Sequence, residues 1–334
     1  MTKQAGLTLI ELLLAMTLGL VLMAGAISLF QANQQTFRSN QGLIQIQEGT
    51  RSSFELLSRD LRQAGYISCG KSANVANVLT PSARTGLMEW VELRGYDGDK
   101  AAPELPFGTG VGERVDGTSA IFIQGMELNT QRIATHNPNS AEFTLAANSS
   151  NFHVGDIVMA CRPNLVSIFQ VTSVDGLKLG YRPGTHHAGP GNCSRALGSP
   201  VNCDHPSPTT NIVYKTNGII ARFFSAIWYI GNNGRPTDGD KSLFRLRLET
   251  DGEAVREEMV VGVSNMQLLY HQKDTDRWDS ANTIDTAHAW SDVDAVNTSL
   301  TLVSAATGIS LDSSNQGRLE RTLSHIIALR NRLE

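Results

Sequence analysis

The chain has 334 residues, of which 41% are hydrophobic and 18% charged, with a formal net charge of −4. This length allows one large globular unit or two smaller ones. Because the charge is slightly acidic and the composition ordinary, nothing points to nucleic acid or an anionic membrane surface as a partner.

The first clear element is an apolar segment, Leu7–Phe30, which carries one charged side chain, Glu11. As a helix rising about 1.5 Å per residue, it is long enough to cross a bilayer. It differs from a secretory signal peptide because the small residue, Gly6, precedes the apolar run instead of following it. A cut at Gly6 would leave the hydrophobic helix on the mature protein. We therefore expect a leader over residues 1–6 and a transmembrane segment over residues 7–30.

Glu11 is unusual in such a segment. An acidic side chain costs about 2.5–3.5 kcal/mol at the centre of a membrane helix and less near an interface. A cut after Gly6 would create an amine on Leu7 with an intrinsic pKa of about 7.7–8.0. That amine could pair with Glu11 of a neighbouring copy or related subunit. The alternative is a signal anchor that tolerates an interfacial glutamate, and the residues alone leave both open.

Residues 5–16, AGLTLIELLLAM, resemble the type IV prepilin motif, in which a glycine precedes an apolar run with glutamate at its fifth position. The resemblance implies that a prepilin peptidase cuts between Gly6 and Leu7 and methylates the amine of Leu7. It implies that Glu11 serves subunit assembly. It also implies a single-pass inner-membrane protein whose chain beyond Phe30 is periplasmic. The family most often has phenylalanine after the cut, where this chain has Leu7.

Residues 31–65 continue as an amphipathic half of the same helix. Apolar side chains recur at helical spacing, with Thr50 filling a gap, at Leu43, Ile46, Phe54, Leu57 and Leu61. We expect this face to pack on a soluble domain. Gly42 and Gly49 are expected to weaken the helix, and Gly65 to cap its C-terminus.

Residues 66–334 are predicted to form a β-rich periplasmic domain. Short apolar or alternating runs bounded by Gly, Pro, Asn and Asp indicate strands at Trp90–Leu93, Ala120–Ile123, Ile157–Ala160, Ile168–Val174, Ile219–Ile230, Leu243–Leu248, Met266–Tyr270 and Leu300–Val303. Strands and helices do not alternate, so the expected class is α+β, with the long helix packed on a mostly antiparallel, pilin-like sheet domain. Asn233-Gly234 indicates a hairpin, and Pro183–Thr210 a long loop.

Four cysteines form an even set, and a translocated domain would lie in an oxidising compartment. We expect a disulfide between Cys193 and Cys203 that closes the long loop, and a second between Cys69 and Cys161. Zinc is the alternative for the first pair, since His186, His187 and His205 lie nearby in the sequence, but their spacing is not that of a zinc finger.

Other motifs have simpler explanations. Gly65–Ser72 fits a phosphate-loop pattern, but that chemistry needs a strand before the loop and a helix after it, and here a helix precedes it. Two acidic segments, Asp97–Asp99 and Asp238–Asp240, lack the twelve-residue calcium pattern and suit turns.

The catalytic motifs G-x-S-x-G and H-E-x-x-H do not occur in the sequence. We expect no enzyme activity, no metal and no cofactor.

A second resemblance covers scattered parts of the chain. The segments that are similar to PilW-type minor pilins are Arg59–Tyr66 with Cys69, Leu243–Arg245, Glu257–Tyr270, Trp290 with Val293 and Val296, and Ala328–Arg332. The resemblance implies a complex with other minor pilins that primes assembly of the major pilin and reaches the pilus tip beneath a large adhesin. A J-type pseudopilin of type II secretion and a signal-anchored periplasmic enzyme or binding protein are the alternatives.

Overall fold

A computed structural model describes residues 8–70, 74–147, 151–185, 188–204 and 212–333. Its helices in these ranges are α1 (Leu9–Leu61) and α2 (Ala281–Thr286). Its strands are β1 (Asn74–Asn77), β2 (Leu93–Tyr96), β3 (Ala120–Met126), β4 (Gln131–Asn137), β5 (Glu142–Leu145), β6 (Ile157–Arg162), β7 (Leu165–Gln170), β8 (Ser173–Asp175), β9 (Lys178–Gly180), β10 (Ile219–Asn232), β11 (Lys241–Leu248), β12 (Ala254–Val261), β13 (Val263–Gln272), β14 (Trp278–Asp279), β15 (Val293–Val303) and β16 (Glu320–Ala328).

Helix α1 is one continuous element of 53 residues. It ends at Leu61 with Arg62 as its C-cap, so the prediction that Gly65 caps the helix was wrong. Gly65 lies in the turn beyond, with φ of +64°, and its N–H donates to the carbonyl of Gln124 in β3 at 2.8 Å. A left-handed conformation suits glycine, which has no Cβ, and here it directs the chain from the helix onto the sheet.

The buried face of α1 is rotated slightly from the predicted one. Its buried residues are Gly42, Ile46, Ser53, Leu57, Asp60 and Leu61, whereas the predicted Leu43, Thr50 and Phe54 are half-buried. A Cβ on Gly42 would lie 2.9 Å from Cδ1 of Ile309, and one on Gly49 would lie 2.9 Å from Cδ2 of Leu302. Both glycines therefore face the domain and allow the helix to approach it closely.

The strands form a twelve-stranded sheet and a four-stranded sheet ordered β14-β13-β15-β16. Among the strands of the described ranges, all pairs are antiparallel except β1 with β7. The fourteen-residue β10 links the large sheet, because its first part pairs with β6 and its later part with β3 and β11. Helix α1 contacts β12, β15 and β16. The predicted α+β class, with a long helix on a mostly antiparallel sheet domain, is confirmed.

Most of the predicted strands lie within observed ones, and two differ. The run at Trp90–Leu93 meets a strand only at its last residue, where β2 begins. The run at Ile168–Val174 is divided between β7 and β8. Asn233-Gly234 does lie in a hairpin, since β10 and β11 pair up to Asn232 and Lys241, although the connecting loop is longer than a two-residue turn.

A histidine of β4, His136, points into the core of the large sheet and is 7% exposed. His136 stacks on Phe143 with ring centroids 4.1 Å apart. Its Nδ1 accepts the backbone N–H of Tyr214 at 3.2 Å, so Nε2 carries the proton and donates to the hydroxyl of Tyr181 at 2.6 Å. Burial lowers the pKa of His136 from 6.5 to about 4. Protonation of Nδ1 would point its new N–H at the backbone N–H of Tyr214 and break this hydrogen bond.

This geometry predicts acid sensitivity of folding. In the unfolded chain His136 takes up its proton near pH 6.5, whereas the folded site resists protonation down to about pH 4. The stability that the neutral His136 contributes is therefore complete above pH 6.5 and is lost as the pH falls from 6.5 towards 4. In denaturant unfolding of the full chain in detergent, His136→Leu is expected to lower stability at pH 7 but to reduce its decline between pH 7 and 4.5. His288→Asn, at an exposed position, should keep the wild-type decline; equal slopes for both variants would contradict the assignment.

Candidate functional site

The first half of α1 projects from the domain with its apolar side chains uncovered. Leu9, Val21 and Leu22 are at least 70% exposed, and the most apolar window of the helix has no buried residue. Such a continuous apolar surface exceeds what a soluble monomer normally exposes. By length and composition the helix can cross a membrane.

Hydroxyl groups on this half are satisfied within the helix. Thr17 donates to the carbonyl of Leu14 at 2.9 Å, and Ser28 donates to that of Gly25 at 2.8 Å. Since lipid offers no water to unpaired polar groups, these internal bonds suit a helix in a membrane.

Glu11 takes part in a capping box with Thr8. The Thr8 backbone N–H donates to Oε2 of Glu11 at 3.0 Å, and the Glu11 N–H donates to Oγ1 of Thr8 at 3.3 Å. The box satisfies two N–H groups that the start of a helix leaves unpaired. Sequence analysis missed it, although the Thr-x-x-Glu spacing is the signal for such a box. Glu11 therefore has an intrachain role besides the predicted intersubunit one.

Glu11 also heads a line of small residues. Ala15 and Gly19 follow it at intervals of four, so the three share one face of the helix. A Cβ on Gly19 would have no atom within 4 Å. Small residues at this spacing let a second helix approach closely. Gly6 and Leu7 lie outside the described residues.

The second half of α1 is held to the domain through a buried carboxylate. Oδ2 of Asp60 accepts from Nε1 of Trp228 at 3.0 Å and from Nη1 of Arg245 at 3.1 Å. Arg245 also donates to Glu257, at 2.8 Å from Nε. The strand register places Trp228, Arg245 and Glu257 in one row across β10, β11 and β12. Burial raises the pKa of Asp60, and Arg245 opposes that shift without cancelling it.

The C-terminal segment secures the end of the helix. The amide of Asn331 donates to the carbonyls of Arg62 and Ala64 at 3.4 and 3.3 Å. Arg332 pairs with Glu92 at 2.8 Å and donates to the carbonyl of Val293 at 3.2 Å. The Asn331 bonds therefore satisfy carbonyls at and just beyond the C-cap of α1, and the Arg332 bonds fix the segment that carries Asn331.

Both disulfides join the cysteines that the sequence analysis paired. Cys69 is bonded to Cys161, which ties the segment leaving α1 to β6. Cys193 is bonded to Cys203 within the long loop. His186, His187 and His205 lie outside the described residues. Among the residues that are described, no group of three or more His, Cys, Asp or Glu side chains could hold a metal ion.

The two acidic segments have structural roles, and the phosphate-loop match lacks the structure that a phosphate loop needs. Asp97 accepts the backbone N–H groups of Ala281 and Asn282 at the start of α2, at 3.2 and 2.8 Å. Asp238 pairs with Arg235 at 2.7 Å. The phosphate-loop match is followed by strand β1, not by a helix, and its Lys71 and Ser72 lie outside the described residues.

A comparison with known families matches residues 1–27 to the prokaryotic N-terminal methylation motif. Searches of curated proteins and of solved structures found nothing that matches the chain. Together with the exposed, membrane-capable first half of α1, the motif supports a membrane-anchored prepilin of the type IV pilin-like class.

The Asp60 contacts predict a large effect of removing that carboxylate. Asp60→Ala leaves Trp228 without its acceptor and Arg245 without one of its two carboxylates, at a cost of about 3–5 kcal/mol. Asp60→Asn keeps an acceptor oxygen and should cost less. Glu55→Ala, at an exposed position of the same helix, should stay within about 0.5 kcal/mol of wild type. Denaturant unfolding of the full chain in detergent measures this, and a mild Asp60→Ala would show that the helix is held mainly by apolar packing.

Proposed function

We propose that this protein is a minor pilin that takes part in type IV pilus assembly. In this proposal a prepilin peptidase removes residues 1–6 and methylates Leu7, and the domain lies in the periplasm. The observation that carries the proposal is the methylation motif at residues 1–27, placed on a helix whose first half is uncovered. The role is structural rather than enzymatic.

An uncovered apolar helix gives assembly a physical basis. Extraction from the membrane would expose its side chains to water at about 25 cal/mol per Å², so the helix must move directly into contact with other helices. The face formed by Glu11, Ala15 and Gly19 offers a narrow surface for such a neighbour. In this proposal the Glu11 carboxylate pairs with the methylated amine of a neighbouring subunit.

The scattered residues that resemble PilW-type minor pilins support the finer assignment. Four of those segments supply the contacts that hold the C-terminal end of α1. Arg245 binds Asp60 of the helix, Glu257 binds Arg245, and Asn331 binds the carbonyl of Ala64 just beyond the helix. Because the helix is fixed to its domain in this way, the packing of the helix in a fibre would also determine where the domain lies. We therefore propose that this subunit joins other minor pilins to prime or cap the fibre at its tip, next to the major pilin and a large adhesin.

The test separates the two roles of Glu11. Glu11→Gln keeps the capping box, because glutamine suits that position as well as glutamate, but it removes the charge. If the charge pairs with a neighbour's amine, Glu11→Gln and Glu11→Ala should both reach normal membrane levels and be cleaved. Both should enter pili at least about tenfold less than wild type, because an unpaired buried charge costs several kcal/mol. Blots of sheared pili and of membranes measure incorporation.

The control is Thr8→Ala, which removes the hydroxyl of the capping box and keeps the charge. It should enter pili at close to the wild-type level. Normal incorporation of Glu11→Gln together with loss of Thr8→Ala would show that Glu11 serves only the helix start. Deletion of the gene should abolish pili; intact pili with failure of protein secretion would instead assign the chain to a pseudopilus.

A further inference from the structure

Strand β16 leaves a long edge of the four-stranded sheet open. In the part of the chain that the structure describes it pairs only with β15, in an unbroken register from Val303 with Glu320 to Ala295 with Ala328. Eight of its nine residues are exposed. Its outer side therefore presents a row of unpaired backbone N–H and C=O groups, which an extended strand can pair with.

The other edges in the described ranges are short or interrupted. Strands β1 and β2 have four residues each, β8 has three and β14 has two. Strand β12 has eight residues but carries a bulge at Met259, where its register with β11 shifts. These are devices by which proteins protect edges. Strand β16 has no bulge, proline or lysine, and its acidic and arginine side chains, Glu320 and Arg321, are confined to its first two residues. Farther along, its side chains include Leu323 and Ile326, which are 41% and 56% exposed.

Strand β16 runs alongside α1 and away from its apolar half. Leu319, just before the strand, lies beside Gly42. The ring of His325 is 5.5 Å from that of Phe54, and Asn331, just after the strand, binds the carbonyl of Ala64. The open edge therefore points from the membrane side of the domain towards its far end.

We propose that the β16 edge binds an extended strand of a neighbouring membrane-anchored subunit, running antiparallel to β16 and therefore towards the membrane. The proposal rests on the assembly role above, because it takes the neighbour from the same fibre. Antiparallel pairing is the more stable arrangement, and two subunits anchored in one membrane stand in the same orientation.

A second copy of this chain is not the expected occupant. Two of its edge strands run towards the membrane. Strand β14, antiparallel to β13, has only two residues. Strand β12 is longer and has the same direction, since Glu257 is tied through Arg245 to Asp60 and Val260 lies beside Gly49. The bulge in that strand disfavours regular pairing. The occupant is therefore a different subunit with a regular strand in this direction.

Photo-crosslinking in cells that express the full chain tests the pairing. A benzophenone amino acid is placed in turn at Thr322, Ser324 and Ile326, and crosslinked peptides are mapped by mass spectrometry. We expect all three to reach one segment of a different subunit, at positions that move backwards along that segment as the probe moves forwards. Leu269 is the control, because it lies in the same row as Ile326, two strands inwards on the sheet, and should not reach that segment. Crosslinks to a second copy of this chain would overturn the proposal, and so would crosslinks whose positions move forwards along the partner segment. The absence of crosslinks from all three probe positions would overturn it as well.

Edge-protecting substitutions provide the second test. Leu323→Lys with Ile326→Lys places charges on the open edge and should reduce the crosslink from Ser324 at least about fivefold. Leu269→Lys adds the same charge at a 41% exposed position and should leave the crosslink unchanged. Undiminished crosslinking in the double variant would overturn the pairing. Because crosslinks are read in membranes, this result does not depend on whether Glu11→Gln blocks incorporation into pili.

Discussion

The structure depends on one helix that must satisfy two different surroundings. Helix α1 is continuous for 53 residues, but only its second half has a protein partner. The first half has no buried residue in its most apolar window, so it requires lipid or other helices. Because the two halves have different surroundings, the helix keeps a fixed orientation relative to the domain only if the domain binds its second half tightly.

The contact between the second half of α1 and the domain combines close approach of the helix with a buried charge. Gly42 and Gly49 remove side chains where the helix meets the domain, and Leu57 and Leu61 are fully buried there. Asp60 then fixes rotation and register, because its oxygen must meet both Trp228 and Arg245. A buried ion pair adds little net stability, but it penalises every arrangement that leaves the charge unpaired.

The sequence predicted the features that depend on local pattern. Composition alone identified the membrane-capable half of α1, and continuous apolar runs located buried strands such as β3 and β10. The role of Asp60 could not be predicted, because Trp228 and Arg245 are 168 and 185 residues away along the chain. Gly42 and Gly49 were predicted only to weaken the helix, because helix propensity does not show which residues face the domain. Strand β16 was missed because its exposed edge lacks the apolar pattern of a buried strand.

If this chain is a processed prepilin, the N-terminus of the mature protein shows it. Mass spectrometry of the protein purified from membranes should find a chain that begins with N-methylated Leu7. Gly6→Val should block the cut and leave the leader attached. A wild-type chain that still begins at Met1 or Thr2 would show that the chain is not processed as a prepilin, that α1 is an ordinary membrane anchor and that Glu11 is only part of its capping box.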